Sequence, residues 1–219
     1  MYFKKIVNIF KKSQSKSGIA MQQLSRERIA QHEAAHGIVW YLFKNSWTVN
    51  RLTIERNGLP DDTMNGALHI TANFDVTKET NIERANELFA IALAGMIGQN
   101  MNLLLQRDNL LIELSSINFN QIFDKTGCGG DFEIAVKHLP YLGQEFKTNQ
   151  GTFTQIKVMD LVTLFQDHKK VQTIHLELTR LLLEKGTLTK EELINFFEQQ
   201  NFQEYIEDEN LDINFYHQR

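Results

Sequence analysis

The sequence predicts a mainly α-helical fold that carries a small β element. Only two prolines, Pro60 and Pro140, interrupt 219 residues rich in Leu, Ile, Glu, Gln and Lys. Two short segments, WTVNRLTIER and ALHITANF, are instead concentrated in Val, Ile and Thr, and the turn-forming NGLPDDTMNG separates them. Hydrophobic residues at 42% and charged ones at 23% leave enough apolar side chain for a real core. The length suits one large domain or two small ones, and no internal repeat or compositional break demands two.

Taken in order, residues 1–20 form a basic leader, MYFKKIVNIFKKSQSKSGIA, that reads as a flexible join to the main domain. Tyr2, Phe3, Ile6, Ile9 and Phe10 suit either a segment docked on the core or one side of a helix resting on an anionic membrane surface. Lys4, Lys5, Lys11 and Lys12 break any signal-peptide apolar run, and no stretch approaches the ~18 apolar residues of a membrane span. The main domain is expected over residues 21–202. Ser25 is a plausible N-cap for a helix to about residue 43, followed by the two strands. Residues 80 to about 105 read as a long helix, in which Ala85, Ala92, Gly95 and Gly98 let another element approach while Leu88, Ile91 and Leu93 supply bulk. Residues 106–126 are ambiguous. GCGGD makes a sharp turn, and Asp131 opens a helix that Pro140 ends. A single helix is expected over residues 154–185, ended by Gly186. Thr189 and Glu192 form a capping box for a last helix, EELINFFEQQ. Residues 203–219 read as an acidic, solvated tail.

Charge and cysteine usage narrow the function classes. A formal charge of −4 argues against a nucleic-acid partner, which would require an excess of Lys and Arg. The lone Cys128 excludes an internal disulfide, consistent with a cytoplasmic protein, soluble or held at the membrane periphery. Chemistry enters with IAQHEAAHGI. On a helix, residues four apart share a face about 6 Å apart along the axis, so His32 and His36 can converge on one tetrahedral ion. Zinc suits two imidazoles and, in catalytic sites, keeps a position for water. Glu33 can reach that water without ligating the metal and act as its general base. Ala34, Ala35 and Gly37 bring no competing charge. A third ligand is needed. His69, His138, His168, His175 and His217 lie in no paired motif. Glu83 and Glu87 on the next helix, or Asp131 at the glycine turn, remain open on spacing alone, and Cys128 reads as a small turn residue.

The succession HEAAH, WTVNRLTIERNG, IALAGMIGQN, GCGGDFEIAVKH and LLLEKGTLTKEEL resembles the protease domain of the FtsH family of ATP-dependent zinc metalloproteases, over about residues 24–197. The resemblance implies a zincin-like helical peptidase domain with a two- or three-stranded β element near the active site. It implies Asp131 as the third zinc ligand beside His32 and His36, with Glu33 catalytic. It further implies a polypeptide substrate added as a strand along residues 48–54 or 67–71. This chain departs from the family in lacking a GxxxxGK[ST] phosphate loop, so a separate ATPase or a homo-oligomer is the expected partner and the substrate is expected to be unfolded or flexible. Met96 and Gln99-Asn100 replace the family's arginine and paired acids. That replacement motivates an alternative: a catalytically weak, zinc-binding regulatory or interaction protein.

Overall fold

The computed structural model describes residues 26–55, 66–73, 82–101, 131 and 150–211. The leader 1–20, Ser25, the ambiguous segment 106–126, Cys128, His138, His217 and the helix expected after Asp131 all lie outside them. Helix α1 (Arg26–Leu42) leads through a turn into strand β1 (Trp47–Thr53), then β2 (Ala67–Ala72) and helix α2 (Ile82–Gly98). Helices α3 (Gln150–Asp167) and α4 (Lys169–Lys185), strand β3 (Thr187–Thr189), and helices α5 (Lys190–Gln199) and α6 (Phe202–Asp208) complete the order. The fold is mainly α with one three-stranded antiparallel sheet, ordered β2-β1-β3.

Helix α1 lies at the centre. Every residue from His32 to Tyr41 is buried, and its small side chains let neighbours come close on several sides. Gly37 faces Leu52 of β1 and Leu178 of α4, whose methyls lie 3.1 and 3.3 Å from where a Cβ would stand. Against α2 the approach is tighter still: a Cβ on Gly98 would come 2.8 Å from the Gln31 carbonyl oxygen, well inside van der Waals contact. The glycines of IALAGMIG therefore do what their spacing suggested. Beyond α1, Tyr41 packs on Phe197 of α5 at 4.3 Å between ring centroids, and Phe197 stacks on Phe202 of α6 at 5.6 Å.

In the sheet, Leu52 of β1 sits opposite Leu68 of β2 and Leu188 of β3. A register irregularity between Val49 and Arg51 turns Asn50 and Arg51 outward in succession. Because β1 is the middle strand, β2 and β3 are the outer strands among the described residues, and of the two segments expected to pair with a substrate only β2 has an outer edge. Strand β3 falls within GTLT, which the sequence suggested only as a cap; its short ladder forms because β1 is already there to pair with it. Gly186, at φ 76°, donates its N–H to Leu182 and ends α4 as expected. The capping box is present, with Thr189 and Glu192 bonded reciprocally.

Three expectations need correction. The single helix over 154–185 is two, because His168 has an extended backbone (φ −105°, ψ 95°) and Gln172 caps the freed Gln166 carbonyl with its side chain. The break lets Phe165 on α3 and Ile174 on α4 both bury fully. Helix α2 runs to Gly98 and is interrupted by a turn at Gln99-Asn100, where the Asn100 amide donates to the Met96 carbonyl; Met101 is helical again, and residues 102–105 lie outside the described residues. The tail from Gln203 is not wholly solvated: α6, anchored by the buried Phe202 just before the tail, half-buries Tyr205 and Ile206, although its acidic side chains remain exposed.

Candidate metal centre

Helix α1 places His32, Glu33 and His36 inside the protein, each less than a tenth exposed. Asp131 approaches from far along the chain. Its Oδ2 lies 2.8 Å from His32 Nε2 and 3.3 Å from His36 Nε2, and the two Nε2 atoms are 2.9 Å apart. These three residues form the only such group among the described residues with the spacing to hold a metal ion.

Protonation shows why an ion suits the group. His36 Nδ1 is 2.6 Å from the Ile91 carbonyl oxygen, which can only accept, so Nδ1 carries the proton and donates it. In neutral His36 the lone pair is then on Nε2, aimed at His32 and Asp131. Close approach of the three atoms calls for a positive centre among them, either a proton on His32 Nε2 that is shared with its neighbours or a metal ion. Ligands at ~2.0–2.1 Å from a tetrahedral ion stand about 3.4 Å apart, so the observed triangle need open by only a few tenths of an ångström. Space is available as well: a Cβ on Gly95 would sit 2.4 Å from His32 Nε2 and 2.5 Å from His36 Nε2, and glycine leaves that position empty. The residues present fit a bound metal ion.

The acids differ in character. Burial pushes the Asp131 carboxyl up, but the charge that His36 and His32 can carry, with their hydrogen bonds, outweighs it and holds Asp131 well below the usual carboxylate range. Glu33 is pushed up to about 7, chiefly by burial; His32 and His36 pull it down and Asp131 pushes it up again. Glu33 Oε2 is buried and makes no hydrogen bond among the described residues. Gly66, just ahead of β2, closes over the same side chain, since a Cβ there would meet Glu33 Oε1 at 2.6 Å. Strand β2 thus begins beside a buried carboxylate poised to exchange a proton near neutral pH.

Other candidates fall elsewhere. Glu83 is exposed, and Glu87 is taken up by Ser46, Trp47 and Arg84. His175 donates from Nε2 to the Gln31 carbonyl, and His168 bonds the Tyr205 hydroxyl. His69 lies in β2, outside the metal group. Met96 and Gln99 are buried on or just after α2 without joining the group. Sequence reasoning missed the Ile91 carbonyl, a backbone atom no residue type advertises, and Gly66, hidden in an ordinary turn segment. No family model matches the chain, and no curated protein matches it significantly. No helix among the described residues is long and apolar enough to cross a membrane.

Proposed function

We propose that the chain is a zinc-dependent metalloendopeptidase acting on unfolded or flexible polypeptides. The observation that carries this reading is a buried His-His-Asp triangle with the unpartnered carboxylate of Glu33 beside it. A set of two imidazole nitrogens and one carboxylate oxygen is a donor set that suits zinc and leaves room for a reactant. His32, His36 and Asp131 would hold the ion. When bound, zinc supplies Lewis acidity, drawing a water's pKa towards neutrality and polarising a carbonyl. Glu33 Oε2 takes the proton lost as water adds to the peptide carbonyl and returns it to the departing amine nitrogen. Desolvation suits Glu33 to both tasks, because its two protonation states are close in free energy near neutral pH. His36 is oriented through Ile91, and the edge of β2 would receive the substrate as an added strand running past Glu33. Only an extended chain can pair in that way, hence the preference for flexible substrates. The ordered motifs that resemble the FtsH protease domain support the same assignment.

The replacement of paired acids by Gln99-Asn100 favours one rival, a zinc-binding regulator without turnover. A single set of variants separates the two. Zinc content and cleavage of an unfolded protein would be measured for the native chain, Glu33→Gln and Asp131→Ala. The enzyme reading expects Glu33→Gln to keep its zinc and lose roughly 10²–10⁴-fold in rate, and Asp131→Ala to lose zinc. Stoichiometric zinc with no cleavage by the native chain favours the regulator. Equal cleavage by Glu33→Gln removes Glu33 from the mechanism.

A further inference from the structure

Helices α1 and α2 run antiparallel, and their contacts keep strict order: Gln31 and Ala35 meet Gly98, His32 and His36 meet Gly95, and His36 meets Ile91. One turn further along α2, Glu87 meets Ser46 and Trp47, just past the end of α1. Glu87 is 5% exposed and collects the Ser46 hydroxyl at 3.1 Å, the Trp47 indole N–H at 2.9 Å and the Arg84 guanidinium. Trp47 is itself tied back to α1, because the Trp40 indole donates to its carbonyl at 2.7 Å. Trp40 lies one turn beyond His36, and Glu87 one turn before Ile91. The bonds close a circuit running His36, Trp40, Trp47, Glu87, Ile91 and back to His36.

A buried carboxylate is an expensive way to join two helices, which apolar side chains could do at less cost. What it adds is direction. Apolar packing between helices rich in Ala and Gly resists sliding weakly, and a slip of one residue moves a backbone atom by about 1.5 Å. That shift would break the 2.6 Å contact between His36 Nδ1 and the Ile91 carbonyl oxygen. We infer that Glu87 is a positioning residue for the metal centre, its carboxylate pinning α2 to the segment after α1 and so setting the Ile91 carbonyl that orients His36. This deepens the proposed zinc reading and rests on it for its consequence, though the orientation itself exists without metal.

The test compares the native chain with Glu87→Leu, Glu87→Gln and Leu193→Ala, the last a cavity in the core beneath α5. Two properties are read at a temperature where all are folded by circular dichroism. One is the Nδ1–H proton resonance of His36 in metal-free protein; the other is the affinity and visible spectrum of added Co²⁺. Glu87→Leu is expected to shift or broaden the His36 resonance, weaken Co²⁺ binding roughly 10-fold and alter the spectrum. Glu87→Gln, which keeps an acceptor for Trp47, should recover most of each property, and Leu193→Ala should leave both unchanged despite its lower stability. A native His36 resonance and a native Co²⁺ spectrum in Glu87→Leu would overturn the inference. Should that variant not fold, Trp47→Phe removes one donor to Glu87 and is read in the same way, with the same outcomes. Failure of the native chain to bind Co²⁺ would sink the metal reading alone, since the resonance still reports on positioning.

Discussion

Gly95 shows how much one side chain's absence can decide. HEAAH identifies the imidazoles, but they can share an ion only if the facing helix leaves the space beside both Nε2 atoms open. A methyl group placed there would overlap both rings. Gly95→Ala should therefore cut zinc affinity by at least about 10-fold, measured by competition with a chromogenic chelator, even though alanine is the better helix former by nearly 1 kcal/mol. Unchanged affinity would mean that the ion lies elsewhere. At this scale the sequence was informative about types and poor about neighbours. His32, Glu33 and His36 were legible because one helix carries them at a spacing chemistry recognises. Asp131 stayed one of several choices until a family resemblance favoured it, because 95 residues separate it from His36. Glu87 looked like a possible ligand, and its real partners are a serine, a tryptophan and an arginine.

Among the elements, the capping box was the clearest signal in the chain, since its bonds span only three residues. Thr189→Ala removes the acceptor for the Glu192 N–H and should cost about 1 kcal/mol of stability, read as a lower urea midpoint with an unchanged slope. A loss below about 0.3 kcal/mol would show that pairing of β3 with β1, rather than the cap, holds the start of α5. The break at His168 was invisible for the opposite reason. QDHKK holds neither proline nor glycine, and the weak helix propensity of Asp167 and His168 is flanked by good helix formers, Gln166, Lys169 and Lys170. The kink is favoured by burial of Phe165 and Ile174 on either side, and by the bond from His168 to Tyr205 of α6, none of which is local. The packing of the tail's first turn has a similar origin, since Tyr205 stacks on Phe202, which joins an aromatic cluster assembled from α1 and α5.

For the whole molecule, one contribution to pH dependence comes from a histidine outside the candidate metal group. Burial pulls His175 below its ordinary value of 6.5, and its bond to the Gln31 carbonyl offsets only part of that. The folded protein therefore binds this proton less readily than the unfolded chain does. Its contribution is complete above about pH 6.5 and declines as pH falls from there towards the depressed folded value. Glu33, pushed up to about 7 by burial, acts in the opposite sense over the same range, so the His175 contribution is read by comparison: between urea titrations at pH 7.5 and 5.5, His175→Gln should lose less stability, or gain more, towards the acid end than the native chain. An equal difference in both proteins would assign the acid sensitivity to other groups. Position makes this residue matter: Gln31 adjoins His32, so the contact that ties α4 to α1 also steadies the helix bearing the metal group.

By itself the sequence determined the helical character, the two main strands, the caps at Gly186 and Thr189, and the placing of His32, Glu33 and His36 together on one helix. All of these arise from interactions within one or two turns, or from the alternation of a strand, and such interactions are written in neighbouring letters. Only the tertiary structure decided that Asp131 meets the imidazoles, that the Ile91 carbonyl orients His36, that β2 is an outer strand beginning beside Glu33, and that a long helical stretch bends at His168. Each depends on which surfaces pack together once the whole core forms, a choice made by burial and directional bonds between residues far apart in the chain.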